Sequence, residues 1–180
     1  MKVIFLDIGG VICKDIEKHM MKDIAKEYNL DYDDVMKVRS KWWKLFAMDK
    51  ISEVEYWEGF LKEVGVNESV DKFIQLPYKY IQIMPGAMEF ISKLYCKKFI
   101  VSDHARPWWK FADEKFKISE HFEEQFLSFE IGSLKENGEL LKKAIEKANV
   151  LPSEILFIDN SRENLEEGKK LGLNVLLFGD

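Results

Sequence analysis

Lys2-Val3-Ile4-Phe5-Leu6-Asp7-Ile8-Gly9-Gly10-Val11-Ile12 opens the chain, and its reading decides the fold. Val3 to Leu6 is a continuous apolar run, rich in β-branched and aromatic residues. That is the pattern of a strand buried on both faces. The run stops at a carboxylate, Asp7, and Gly9 and Gly10 follow shortly after. A lone Asp at the end of a buried strand costs free energy unless something pairs with it. The glycines permit a sharp turn and close approach of a ligand. The carboxyl ends of buried parallel strands are also where open α/β sheets place their sites. Taken alone, Asp7 could equally cap a turn; the rest of the chain decides.

The 180 residues suffice for one domain with a substantial core, or for a core with a small appendage. Hydrophobic residues make up 47% and charged residues 33%, the balance of a soluble globular protein. A net charge of −5 argues against a broad nucleic-acid footprint. No apolar run reaches membrane-spanning length, and the N-terminus enters a strand directly, so neither a membrane span nor a signal peptide is expected. Cys13 and Cys96 are the only cysteines and form no CxxC pair. They suggest buried thiols in a reducing compartment, and hence a cytoplasmic protein.

From residue 14 to 81 the period changes from strand-like to helical. Ile16, Met20, Ile24 and Tyr28 make one stripe, and Val35, Val38, Trp42 and Leu45 a second. Val54, Trp57, Leu61 and Val64 make a third, and Val70, Phe73 and Ile74 begin a fourth that Pro77 stops. Ser52 and Glu55 have the spacing of a capping box. Four short helices in succession predict a small helical bundle with the Trp and Phe residues as its core.

Met84-Pro85-Gly86 marks the return to the alternating pattern. A helix to about Leu94 precedes a short strand, Lys98 to Val101, which ends in Ser102-Asp103-His104. A helix from about Pro107 leads to a predicted strand from Gln125 to Glu130, then a loop carrying Lys135. Asn137 is expected to cap a helix running to about Asn149. Ile155 to Ile158 is a second buried strand ending in a carboxylate, Asp159, and a last helix leads to a strand from Val175 to Phe178. Strands alternating with helices predict an α/β fold with a mainly parallel sheet.

Four loops thus stand at or near the carboxyl ends of strands. They carry Asp7, then Ser102 and Asp103, then Lys135, then Asp159 and Asn160. These parts suit phosphoryl transfer. An Asp can attack phosphorus, carboxylates hold a hard cation such as Mg²⁺, and a Lys with hydroxyl donors neutralises phosphoryl oxygens.

With these pieces in this order, the chain resembles the haloacid dehalogenase (HAD) superfamily of hydrolases. The resemblance rests on Phe5 to Val11, on Met84-Pro85-Gly86 after a helical insert, on Val101 to His104, on Lys135, and on Phe157 to Ser161 with Asn164. It implies a doubly wound core, residues 1–13 and 82–180, with a helical cap, residues 14–81, inserted after the first strand. It implies that Asp7 is the nucleophile, that Ser102, Asp103 and Lys135 bind the phosphoryl group, and that Asp7, the Gly9 carbonyl and the Asp159-Asn160 loop hold Mg²⁺.

Departures from the family pattern temper this. Gly9 stands where phosphatases of the family carry a second Asp as general acid and base, although the resemblance extends to phosphatases with Gly there. Asn160 falls at the position of the metal-binding Asp, with Asp159 next door as a substitute, so Mg²⁺ is expected to bind weakly. Glu136 would oppose a phosphate if it pointed inward, and so would Asp103. The leading expectation is a Mg²⁺-dependent phosphatase, monomer or homodimer, acting on a small phosphorylated metabolite. The alternatives are a degenerate member that binds a ligand or partner without turnover, and a metal-independent 2-haloacid dehalogenase. His104 is read as a loop histidine, and Arg106 as pairing with a nearby carboxylate.

Overall fold

In the computed structural model, which describes residues 1–179, the opening run becomes the middle strand of a five-stranded parallel sheet, β1 (Val3–Leu6). The other strands are β2 (Lys97–Ser102), β3 (Glu124–Leu127), β4 (Ile155–Asp159) and β5 (Asn174–Leu177), in the order β3-β2-β1-β4-β5. This is a doubly wound α/β sheet: the chain builds outward to one side through β2 and β3, then crosses back to β4 and β5. The switch point lies between β1 and β4, so the crevice outside their carboxyl ends is the expected place for a site.

Alternation along the strands splits the core. Val3 and Phe5 join Phe99, Val101 and Phe157 on one face, covered by α9 (Glu139–Ala148) and α10 (Arg162–Lys170) through Leu140, Leu141, Ala144 and Leu165. Ile4 and Leu6 point to the other face, toward Trp109 and Ala112 of α7 (Arg106–Phe116). That second cluster continues into the helices that follow β1.

Those helices are α1 (Ile16–Glu27), α2 (Tyr32–Phe46), α3 (Glu53–Val64), α4 (Val70–Ile74) and α5 (Pro77–Tyr80). The chain leaves the sheet and returns to it side by side. The Lys14 N–H donates to the Gln82 carbonyl (2.9 Å), and the Met84 N–H donates to the Ile12 carbonyl (2.8 Å). The Ser52–Glu55 capping box forms at the start of α3. Trp108 of α7 inserts among the helices, with its ring 5.4 Å from those of Trp43 and Phe46 and its Nε1 donating to Glu53 (2.5 Å). Lys44 pairs with Glu136 (2.7 Å) and Asp49 with Arg106 (3.0 Å). These contacts lay α2 and α3 against loops that follow the strands.

Several expected boundaries shift. β3 ends at Leu127 rather than Glu130, and α8 (Ser128–Ile131) begins there. The cause is Ser128, a buried residue whose hydroxyl donates to the Ala47 carbonyl (2.6 Å) and accepts the His104 N–H (3.0 Å), drawing the chain out of the sheet. Pro77 opens a one-turn helix instead of only ending one, because its fixed φ suits the first helical position. α9 starts from Gly138 (φ 75°), not Asn137, which closes a 3₁₀ turn with Lys135. The helix before β2, α6 (Ala87–Ser92), ends short of Leu94, and β5 starts one residue early.

Candidate active site

Asp7 continues the ladder past β1, its N–H donating to the Ile158 carbonyl (3.0 Å). The chain then turns on Ile8, whose carbonyl accepts the N–H groups of Ile12 (2.9 Å) and Cys13 (2.8 Å). The two glycines in this turn play different parts. Gly10 has φ +77°, and a Cβ there would lie 2.1 Å from Nδ2 of Asn160, so only glycine admits that close approach. Gly9 has open space where a side chain would go.

Lys135 is brought between the first and fourth strands. Its Nζ lies 2.6 Å from Oδ2 of Asp159 and 2.8 Å from Oδ1 of Asp7, and the residue is 1% exposed. The Asp159 contact is an aligned hydrogen bond, whereas the Asp7 contact is an ion pair without one, leaving Oδ1 of Asp7 buried and unsatisfied. Burial by itself would push the Lys135 ammonium down. The charges of Asp159, Asp7 and Asp103 outweigh it and hold the lysine above its usual range.

Asp159 is wholly committed inside the protein. Its Oδ1 accepts from the Ser161 N–H (2.7 Å), and its Oδ2 accepts from Lys135 and from Nδ2 of Asn164 (3.2 Å). Burial raises its pKa, and Lys135 opposes that shift. The Asp103 carboxyl, surrounded by protein atoms, accepts the Lys135 N–H (2.9 Å). Burial pushes it up to about 7; Lys135 pulls the other way, and Asp7 and Asp159 add to the rise.

A small cleft of ≈ 120 Å³ opens over this group. Asp7, Gly9, Asp103, His104 and Asn160 line it together with Asp15, Glu17, Trp43 and Trp108. The predicted residues therefore separate into two layers. Asp7, Gly9, Asp103 and Asn160 face the cleft together. Lys135, Asp159 and Ser102 lie buried among the residues behind it. Glu136 points away: it is exposed and pairs with Lys44, so the concern that it would oppose a phosphate falls.

His104 is buried, with Nδ1 3.2 Å from the Ala105 carbonyl; burial, aided by the Lys135 charge, pushes it down to about 4. Cys13 is buried too, and burial with the nearby Asp7 pushes its thiol up to about 12, the mark of an inert packing cysteine. Arg106 pairs with Asp49. Periodicity assigned Trp43 and Trp108 no place on the cleft and passed over Asp15 and Glu17. The nearest signal for the last two was their position directly after the Asp7 turn.

A divalent cation suits this chemistry. Asp7 and Asp159 pair with one ammonium while Asp103 lies near it, Asp7 faces the cleft, and the space beside Gly9 is open. Among the described residues, however, no group of three His, Cys, Asp or Glu side chains has the geometry of a metal site. The cation would therefore rest on one carboxylate, neutral oxygens and water, a set Mg²⁺ accepts.

The fold and this site define a class. The chain belongs to the haloacid dehalogenase-like hydrolases, whose family model matches residues 1–172. Among characterised proteins it is similar to a D-ribitol-5-phosphate phosphatase of Bacteroides thetaiotaomicron, at 26% identity over 117 residues. That match covers 64% of this chain and 51% of the relative, so the chain spans about half the length of the curated relative it matches. Among solved structures, a HAD family enzyme of the same organism, captured as a mutant with magnesium and inorganic phosphate, superposes with a TM-score of 0.76 at 21% identity, over 100% of this chain and 96% of that one. L-2-haloacid dehalogenase from Xanthobacter autotrophicus superposes with a TM-score of 0.72 at 15% identity, over 97% and 76%. At those identities the likeness establishes the fold.

Proposed function

We propose that the protein is a Mg²⁺-dependent phosphatase of a small phosphorylated metabolite, working through an aspartyl-phosphate on Asp7. The observation that carries this reading is the Lys135 ammonium, 2.8 Å from Asp7 and 2.6 Å from Asp159 at the ends of the two central strands, beneath a cleft that exposes Asp7. The related ribitol-phosphate phosphatase supports the same chemistry.

Asp7 attacks phosphorus, the bond to the substrate's alcohol oxygen breaks, and that oxygen leaves with a proton. Water then attacks the aspartyl-phosphate, releasing phosphate and restoring the carboxylate. Lys135 offsets negative charge on the phosphoryl oxygens and keeps Asp7 aimed at the cleft. The Lys135 N–H, donating to the Asp103 carboxyl (2.9 Å), and the Ser102 hydroxyl, donating to the Asp103 carbonyl (3.5 Å), hold the loop that follows β2. Because Gly9 supplies no acid, the proton is assigned to Asp103, which faces the same cleft and titrates near neutrality. Asp7, the Gly9 carbonyl and Asn160 would hold Mg²⁺, with Asp159 as a charge behind them; when bound, the ion neutralises the phosphoryl group. The helices of residues 14–81 serve as a cap that excludes bulk water and selects the substrate.

The test is hydrolysis of an aryl phosphate and a panel of phosphorylated metabolites, with and without Mg²⁺. Metal-dependent turnover supports the reading. Absence of turnover on every phosphate, with ligand binding retained, supports the degenerate-binder alternative, which Gly9, Asp103 and Asn160 still motivate with Glu136 pointing away.

A further inference from the structure

We propose that the stacked indoles of Trp43 and Trp108, locked by Glu53, set the size limit of the cleft. The substrate is then a phosphomonoester with a compact leaving portion of about three carbons or fewer. The inference rests on the phosphatase reading and adds the size class of the substrate to it.

The wall is built from two separate parts of the chain. Trp43 belongs to α2, among the inserted helices, and Trp108 to α7, beside the sheet. Both line the cleft with Asp7, and their rings stack at 5.4 Å. Neither ring is free to turn aside. Trp108 is fully buried, with Phe46 (5.4 Å) and Tyr56 (6.1 Å) meeting it edge-on. Its Nε1 donates to Glu53 (2.5 Å), a partly buried carboxylate that also accepts from the Tyr78 hydroxyl (3.4 Å). Turning the indole out would cost Glu53 its short bond away from bulk water. Trp43 carries the Arg39 guanidinium over its ring, 4.9 Å from the centre, and Arg39 is itself paired with Glu17.

A wall that cannot turn fixes the volume it borders. The cleft measures ≈ 120 Å³. Pockets for drug-sized ligands run to about 300–1,000 Å³. A water-sized group needs about 10 to 15 Å³ of such space, so the cleft takes about ten of them. The phosphoryl group and its bridging oxygen fill about half, which leaves room for about three substituted carbons. A six-membered ring would have to displace the indoles. Because the wall joins α2 and α3 to α7, displacing it pulls the inserted helices from the sheet and breaks the Glu53–Trp108 bond.

The experiment measures kcat/KM for ethyl phosphate and cyclohexyl phosphate, whose leaving portions differ in bulk but not in charge. It is run with Mg²⁺ on wild type, Trp43→Ala, Glu53→Leu and Glu53→Gln. Wild type should prefer ethyl phosphate. Trp43→Ala and Glu53→Leu should lower the ethyl-to-cyclohexyl ratio by about 10- to 100-fold, through a gain on the cyclohexyl ester. Glu53→Gln keeps an acceptor for the indole and should restore the wild-type ratio. A general loss of packing would lower both esters together and leave the ratio where it was. An unchanged ratio in Trp43→Ala or in Glu53→Leu, or a wild-type preference for the cyclohexyl ester, overturns the inference. If Trp43→Ala does not fold, Trp43→Phe keeps a ring but a smaller one, and should move the ratio in the same direction. If wild type hydrolyses no phosphate, the phosphatase reading fails, and calorimetric binding to the full chain decides the size limit. Ethyl phosphate should then bind more tightly than cyclohexyl phosphate, and Trp43→Ala should narrow the difference; equal binding in wild type overturns it.

Discussion

Nζ of Lys135 lies 2.6 Å from Oδ2 of Asp159 with both side chains almost wholly out of solvent. A buried pair of this kind is weak evidence of net stabilisation, but removing one partner strands the other charge. Lys135→Met leaves Asp7, Asp103 and Asp159 around an apolar group. Urea denaturation should show a loss of about 3 to 5 kcal/mol. A loss under 1 kcal/mol would mean that the carboxylates simply take up protons when the ammonium is gone.

Asp7→Asn should abolish hydrolysis and keep the fold. It removes a like charge from beside Asp103 and Asp159, and Lys135 retains its aligned bond to Asp159. Thermal melting should therefore be unchanged or slightly raised. Retained turnover in this variant would rule out the covalent mechanism.

Asn160→Asp should tighten Mg²⁺, because a charged oxygen then faces the cleft beside Asp7. Gly9→Asp has room for its side chain and should raise any Mg²⁺-dependent rate by supplying a second acid. The two sites are close enough to couple, so the gains need not add. Calorimetric Mg²⁺ titration checks the first change, and aryl-phosphate kinetics the second. If wild type already binds Mg²⁺ tightly and Asn160→Asp changes nothing, the metal rests on Asp159.

Gly10→Ala should destabilise the protein by about 1 to 3 kcal/mol, since it strains a left-handed backbone. It must also displace the Asn160 amide, whose Nδ2 lies 2.1 Å from the new Cβ. The signature is a joint loss of stability and of Mg²⁺ affinity. A stability loss with metal binding untouched would separate Asn160 from the metal.

His104 should make the protein acid-sensitive. Its folded pKa is pushed down to about 4 by burial, against about 6.5 in an unfolded chain. The unfolded chain therefore takes up a proton that the native state refuses. The stability contribution is full above about pH 6.5 and is lost as pH falls toward about 4, by up to about 3 kcal/mol. Asp103 has the opposite sign: the native state holds its proton up to about pH 7, so its contribution is lost as pH rises. The difference between wild type and His104→Gln across pH 4 to 7 isolates the histidine. Parallel stability profiles would refute the assignment.

The sequence alone determined an α/β fold with a mainly parallel sheet, the strand that ends at Asp7, the helical stretch of residues 14–81 and the Ser52–Glu55 cap, while the doubly wound order was implied by the family resemblance. These follow from local patterns: unbroken apolar runs, a change of period, and a side chain reaching three residues along. It also brought Asp7, Lys135 and Asp159 to one edge, because parallel strands align their carboxyl ends. Tertiary structure decided the rest. That Asp159 turns inward while Asn160 faces the cleft depends on Lys135 and Asn164, which come from other elements. That Glu136 points away depends on Lys44, 92 positions distant. That Ser128 ends β3 depends on Ala47, and that Trp108 and Trp43 wall the cleft depends on how α2 meets α7. Periodicity tells which face of an element is apolar. It does not tell which distant group that face will meet, and hydrogen-bond direction and charge pairing are settled only there.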